Sequence, residues 1–109
     1  MALVGYEPGK TSDDAAPNDP LVVAAQQLLA TDGEFAARSL KVGAAQAFAD
    51  FLDERSIQFP IGDAPVVGRD AIRQRLASGP PFILSWEPRY AEVFAPGDWG
   101  WTWGDWRRS

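Results

Sequence analysis

The chain has 109 residues, of which 46% are hydrophobic and 23% charged, with a net charge of −5. That size bounds it to one domain at most. The acidic balance, with Arg107-Arg108 as the basic run, argues against nucleic acid and anionic membranes as partners. There is no cysteine and no histidine. Their absence removes disulfides and thiol chemistry, together with the commonest general base near neutral pH and the commonest metal ligand. No apolar run approaches the ~18 residues that a membrane-crossing helix needs, and no charged-then-apolar signal segment opens the chain. A soluble protein, cytoplasmic by default, is expected, with no cofactor and no metal.

Residues 1–19 are rich in Pro, Gly, Asp and Ser and read as a flexible tail. The segment Gly5-Tyr6-Glu7-Pro8-Gly9-Lys10-Thr11 superficially suggests a phosphate loop. It has one residue too few between its glycines, and Asp13 and Asp14 follow where carboxylates would repel a phosphate. Asp19-Pro20 is a helix start, an N-cap followed by Pro at the first helical position. Leu21, Ala25, Leu28 and Phe35 then recur at helical spacing, with Asp32-Gly33 as a place where the helix could kink or loosen. Leu40 or Val42 ends this segment, and Gly43 separates it from a second helix over Ala44 to Leu52, which carries Phe48, Phe51 and Leu52 on one side.

Asp53 to Leu76 organises the remainder. Ile57, Phe59 and Ile61 alternate with polar residues at the period of a half-buried strand, and Pro60 makes that strand short or an edge. Gly62-Asp63-Ala64-Pro65 is a turn, and Val66-Val67 a brief second strand. Gly68-Arg69-Asp70 opens a helix with Ala71, Ile72 and Leu76 on one side, closed by Gly79-Pro80-Pro81. Arg69, Arg73 and Arg75 form an exposed face of it.

A long strand region runs from Phe82 to Ala95, with Pro88 at a bulge or on an edge. Ala95-Pro96-Gly97-Asp98 is a hairpin turn. The last strand, Trp99 to Arg107, divides by alternation. Trp99, Trp101 and Trp103 fall on one face, Gly100, Thr102 and Gly104 on the other. Glycine in a strand marks close approach, so the glycine face is expected to meet the helices. The tryptophan face then needs another cover. The converse arrangement, helices on the tryptophans and glycines outside, is the alternative.

The acidic Asp53-Glu54, the strand closing Phe59-Pro60-Ile61-Gly62, and Gly68-Arg69-Asp70-Ala71-Ile72 together resemble the nuclear transport factor two-like superfamily, which includes ketosteroid isomerases and SnoaL-like cyclases. Trp86-Glu87-Pro88 and the run from Gly97 to Gly104 are most similar to an uncharacterised branch of it. The resemblance spans about Pro20 to the C-terminus. It implies an α+β cone, N-terminal helices on a curved and mostly antiparallel sheet, over residues 20–109. The family pattern continues into further strands, so the resemblance implies a partial domain, truncated at its C-terminus or completed by another chain.

In ketosteroid isomerases the general base stands just before the Pro of the central strand, and Phe59 occupies that place here. The remaining acid–base candidates are Asp32, Asp53, Glu54, Glu87 and Glu92. Asp32 continues the Leu21-Ala25-Leu28 face and is the best pocket candidate, whereas Asp53 and Glu54 at a helix end suit solvent, and Glu87 points away from Trp86. Phe59, Trp86 and Tyr90 are candidates for lining the mouth of a pocket for a small apolar ligand, or else are core. Trp99, Trp101 and Trp103 are the candidate homodimer interface, because three neighbouring indoles in water make a patch that monomers rarely tolerate. The expected function is therefore binding of a small apolar molecule, or dimerisation. The alternatives are an isomerase, cyclase or dehydratase using Asp32, and a purely structural fragment. With Phe59 at the base position, no ketosteroid isomerase turnover is expected. Following conjugation of a β,γ-unsaturated ketosteroid by absorbance checks this, and turnover above buffer that Asp32→Asn abolishes would overturn it.

Overall fold

Asp19 caps the first helix through its side chain: the Leu21 amide donates to Asp19 Oδ1 at 2.8 Å, satisfying one of the free N–H groups that every helix start carries. The computed structural model describes residues 19–97 and 99–109. The tail, its glycine-containing segment and Asp98 of the hairpin turn lie outside these. In chain order the elements are α1 (Pro20–Val42), α2 (Ala44–Phe51), β1 (Ile57–Gln58), β2 (Val66–Val67), α3 (Arg69–Ala77), β3 (Leu84–Phe94) and β4 (Trp99–Arg108). The fold is α+β. Its strands form two ribbons of two strands each, β1 with β2 and β3 with β4.

The first helix runs through Asp32-Gly33 without interruption, since a single glycine costs only about 1 kcal/mol in a helix otherwise built of good formers. It stops at Gly43, whose φ of 91° is left-handed backbone that glycine tolerates best. Two compact units divide the chain. One joins the described residues up to Gly33 with Glu87–Asp105; the other joins Glu34–Trp86 with Trp106–Ser109. The helix α1 and the strands β3 and β4 each contribute to both.

In the second unit, the packing centre is aromatic. Phe35 of α1 stacks on Phe51 of α2 with centroids 5.0 Å apart and meets Phe48 and Trp86 edge-on, each at 4.8 Å. Edge-to-face and offset pairs of this kind add to their area burial. Ala36, Ala44, Ala47 and Ile72 are the buried apolar residues of the described chain. Ser39 is buried with them and donates through Oγ to the Leu84 carbonyl at 2.8 Å, which offsets its desolvation and fixes α1 to the start of β3. Arg38 and Gln46 both bond to the Asp50 carboxylate, at 3.0 and 2.8 Å, tying α1 to α2 at the surface. The Gln46 hydrogen bond, then that from Arg38, holds the Asp50 carboxyl below its ordinary pKa. Ile83 and Ser109 exchange both backbone hydrogen bonds, at 2.8 and 3.0 Å, and the Arg108 guanidinium lies 4.0 Å over the Phe82 ring, closing the open end of the β3–β4 ribbon.

The reading of Ile57, Phe59 and Ile61 as a half-buried strand is corrected. The strand β1 is two residues long and antiparallel to β2, with Ile57 opposite Val67 and Gln58 opposite Val66. Ile57, Phe59, Ile61 and Val67 keep 51%, 74%, 94% and 67% of their surface exposed. Pro60 removes the donor that would extend the ladder, and Gly62 turns the chain at φ 78°. The inward side is the other one, where Gln58 and Val66 are half-buried. The arginine face of α3 is corrected in part: Arg73 and Arg75 are exposed, but Arg69 is half-buried and donates to the Leu52 carbonyl at 3.3 Å.

The ribbon β3–β4 contains one extra residue on β3. A Cβ built on Gly100 would fall against the Glu92 carbonyl and Val93 Cγ2, whereas one on Gly104 would fall against the Glu87 carbonyl and Pro88 Cα. Four steps along β4 thus answer five along β3, which is the signature of a bulge. The burial alternation resets at Arg89-Tyr90, where Pro88 and Arg89 alternate but Tyr90 through Phe94 are all half-buried. Pro88, which cannot donate to a ladder, stands beside it.

Two glycines are expected to respond oppositely to the same change. Gly33 has nothing within 4 Å of a prospective Cβ, so Gly33→Ala should stabilise by about 0.5–1 kcal/mol through helix propensity alone. At Gly104 the same methyl would meet backbone, with Pro88 Cα at 2.8 Å, and Gly104→Ala should destabilise by about 1–3 kcal/mol. Urea unfolding midpoints of the two variants check both signs.

Candidate functional site

The first unit is built by the division of β4 into two faces. On the bare face, α1 lies along the strand. Leu21 Cδ2 is 3.8 Å from where a Cβ on Gly97 would stand, and Leu28 Cδ2 is 3.2 Å from the corresponding point at Gly100. One turn further, Thr102 Oγ1 donates to Asp32 Oδ2 at 2.7 Å. The spacing agrees with elementary geometry: from Leu28 to Asp32 a helix rises about 6 Å, and from Gly100 to Thr102 a strand advances about 7 Å. The expectation that the glycine face meets a helix is met at Gly100. At Gly104 the close neighbours are Glu87 and Pro88 of the paired strand.

The opposite face of the ribbon is aromatic. Phe94 stacks on Trp99 with centroids 4.5 Å apart, and Tyr90 meets Trp101 at 5.5 Å. Successive strand residues point to opposite sides, so Glu92, lying between Tyr90 and Phe94, shares their face. The position of Val93 confirms it, since its Cγ2 is 3.0 Å from the prospective Cβ of Gly100 and is therefore on the helix side. Glu92 is half-buried, and its Oε2 is enclosed without a hydrogen-bond partner. Trp103 Nε1, further along the same side of β4, is likewise enclosed without an acceptor. Trp99 keeps 59% of its surface exposed, while Trp101 and Trp103 are half-buried.

The candidate residues are distributed as follows. Asp32 and Tyr90 belong to the first unit, with Trp99, Trp101 and Trp103; Phe59 and Trp86 belong to the second. Asp32 is engaged by Thr102, so its carboxylate pins helix to strand. Trp86 is in the Phe35 cluster, meeting Phe35 and Phe48. Phe59 follows β1 and is exposed. Tyr90 and Trp101 are the two candidates in ring contact. The other carboxylates have surface roles. Asp53 accepts from the Arg55 amide at 2.8 Å, and that bond is the main reason its carboxyl is held below the ordinary value. Glu87 and Asp105 flank Arg89 at 3.4 and 2.8 Å and, led by the Asp105 hydrogen bond, raise its pKa. Among the described residues no three acidic side chains gather as a metal site would require.

Two features are not singled out by the sequence. Trp106 is 65% exposed, a fourth indole on the strand whose register alternation alone does not assign to the tryptophan face. Glu92 is one of the five candidate carboxylates, among which the sequence favours Asp32. Its position two residues from both Tyr90 and Phe94 is the signal that distinguishes it, and it becomes readable once the strand's faces are known.

If the Thr102–Asp32 bond fixes α1 to β4, Thr102→Val should destabilise by about 1.5–3 kcal/mol, the range for a hydrogen bond to a charged group, and Thr102→Ser should recover most of that. Chemical denaturation of the three proteins measures it. No protein-family model, no curated protein and no solved structure matches the chain.

Proposed function

We propose that this chain is a small-molecule-binding domain whose binding surface is the aromatic face of the β3–β4 ribbon. The observation that carries the reading is the pairing of a continuous aromatic surface, Tyr90–Trp101 and Phe94–Trp99, with polar atoms on the same face that are enclosed and unsatisfied, Glu92 Oε2 and Trp103 Nε1. A largely apolar lining with a few convergent polar groups is the usual composition of a ligand site. Buried polar atoms are ordinarily hydrogen-bonded, and exceptions call for a reason; a ligand that completes them is one. The order of elements, two helices, a short ribbon, a third helix and a long hairpin, supports extending the proposal to the nuclear transport factor two-like superfamily and its cone arrangement.

A second reading, homodimerisation through the same face, is favoured by the exposure of Trp99 and by the strand edges of a two-stranded ribbon, which invite pairing. The two readings are separable. Nile red, a neutral apolar dye, should bind saturably with enhanced emission. Trp101→Ala should weaken it about tenfold, as the loss of one large aromatic contact implies, and light scattering should give a monomer mass. Absence of dye binding, or binding indifferent to Trp101→Ala, would remove the ligand reading. A dimer mass that Trp99→Ala converts to monomer would establish the second.

A further inference from the structure

We infer that the ligand of the aromatic face is an organic cation, a protonated or quaternary alkylamine, with Glu92 as its counter-ion. The inference rests on the reading of that face as a binding surface and names the chemical class it takes. Glu92 stands between two aromatic pairs on one side of the ribbon: Tyr90 with Trp101 two residues before it, Phe94 with Trp99 two residues after. Its Oε2 is shielded from solvent and receives no hydrogen bond. A carboxylate oxygen shielded from water without a donor is an exception among enclosed polar atoms, and a group of opposite charge would complete it.

Two arginines of the same ribbon are engaged elsewhere, and Arg107 is exposed at the far end of β4, away from Glu92. Arg89 is held by Asp105 and Glu87, and Arg108 lies over Phe82.

The chemistry of the surface discriminates among ligand classes. A wholly apolar molecule would cover Glu92 and leave its charge unpaired. An anion would be repelled by Glu92 and by a chain whose net charge is already −5. A bare metal ion would find one carboxylate where several oxygen ligands are needed, and the described residues supply no acidic cluster. An alkylammonium satisfies both parts. Its charge meets the carboxylate, and its polarised methyl or methylene groups meet the faces of Tyr and Trp rings, whose quadrupoles attract cations. Trp103 Nε1, a donor only, is enclosed on the same side without an acceptor, which an oxygen of the ligand would supply.

Choline and its neutral carbon isostere 3,3-dimethyl-1-butanol have the same shape and hydroxyl but differ in charge, so comparing them isolates the contribution of Glu92. Both are titrated against the full chain by tryptophan fluorescence and calorimetry. Choline should bind at least about tenfold more tightly than the isostere, the difference a desolvated cation–aromatic contact with a counter-ion provides. Glu92→Gln, checked for retained folding by circular dichroism and by its urea unfolding midpoint, should abolish that preference. Equal affinity for the two probes, or a preference that survives in Glu92→Gln, overturns the inference. So does binding of neither probe: if Nile red still binds and responds to Trp101→Ala, the cation assignment alone falls, and if Nile red also fails to bind, the reading of the face falls with it.

Discussion

The alternation of β4 is the constraint from which the first unit follows. A pleated strand sends Trp99, Trp101 and Trp103 to one side and Gly100, Thr102 and Gly104 to the other. Only the bare side admits a helix at close range, and Leu28 rests on Gly100 where any larger residue would hold it off. The tryptophans are thereby committed to the face that α1 does not occupy. One hydrogen bond, Thr102 to Asp32, sets the register between helix and strand, because Asp32 is one turn beyond Leu28 and Thr102 is two residues beyond Gly100. The cost is that glycine loses the most conformational freedom on folding, and the close contacts are what offset it.

The second unit solves a different problem. Its fully buried apolar residues are small apart from Ile72, so shape-specific packing falls to the half-buried rings of Phe35, Phe48 and Trp86 and the more exposed ring of Phe51. Phe35 touches the other three. The polar contacts around this cluster are mostly surface ion pairs, such as Arg38–Asp50 and Arg75–Asp63. Pairs of that kind add little individually in water. The buried Ser39–Leu84 bond is of another order, since breaking it would strand a hydroxyl in the interior.

The β1–β2 ribbon shows how a correct local pattern leads to the wrong face. Ile57, Phe59 and Ile61 do alternate, and alternation does signal a strand with two unlike sides. Which side is buried depends on what packs there. Here Gln58 and Val66 take the inner side, and the larger apolar residues face out. A ribbon of two-residue strands has too little area to bury both sides. The result is an apolar stripe of Val67, Ile57 and Phe59, read across and along the ladder.

Helix boundaries were legible in the sequence because they rest on local chemistry. Asp19-Pro20, Gly43, Gly68 and Gly79 each act through the few residues around them, by a cap, a fixed φ or a permitted left-handed turn, and each terminus stands where those residues put it. The two faces of β4 were legible for the same reason, as strand period needs no partner. The role of Asp32 was not, because a carboxylate on a helix is a candidate base or a structural acceptor according to what stands 70 positions away, and Thr102 stands there. Nor was Glu92, one carboxylate among several until the bulge on β3 sets the parity between the strands and puts it between two aromatic pairs. Local sequence determined where this chain turns, caps and alternates, since those are short-range energies. Tertiary structure alone decided which sides are covered and which polar groups find partners, since burial and pairing depend on contacts between residues far apart in the chain.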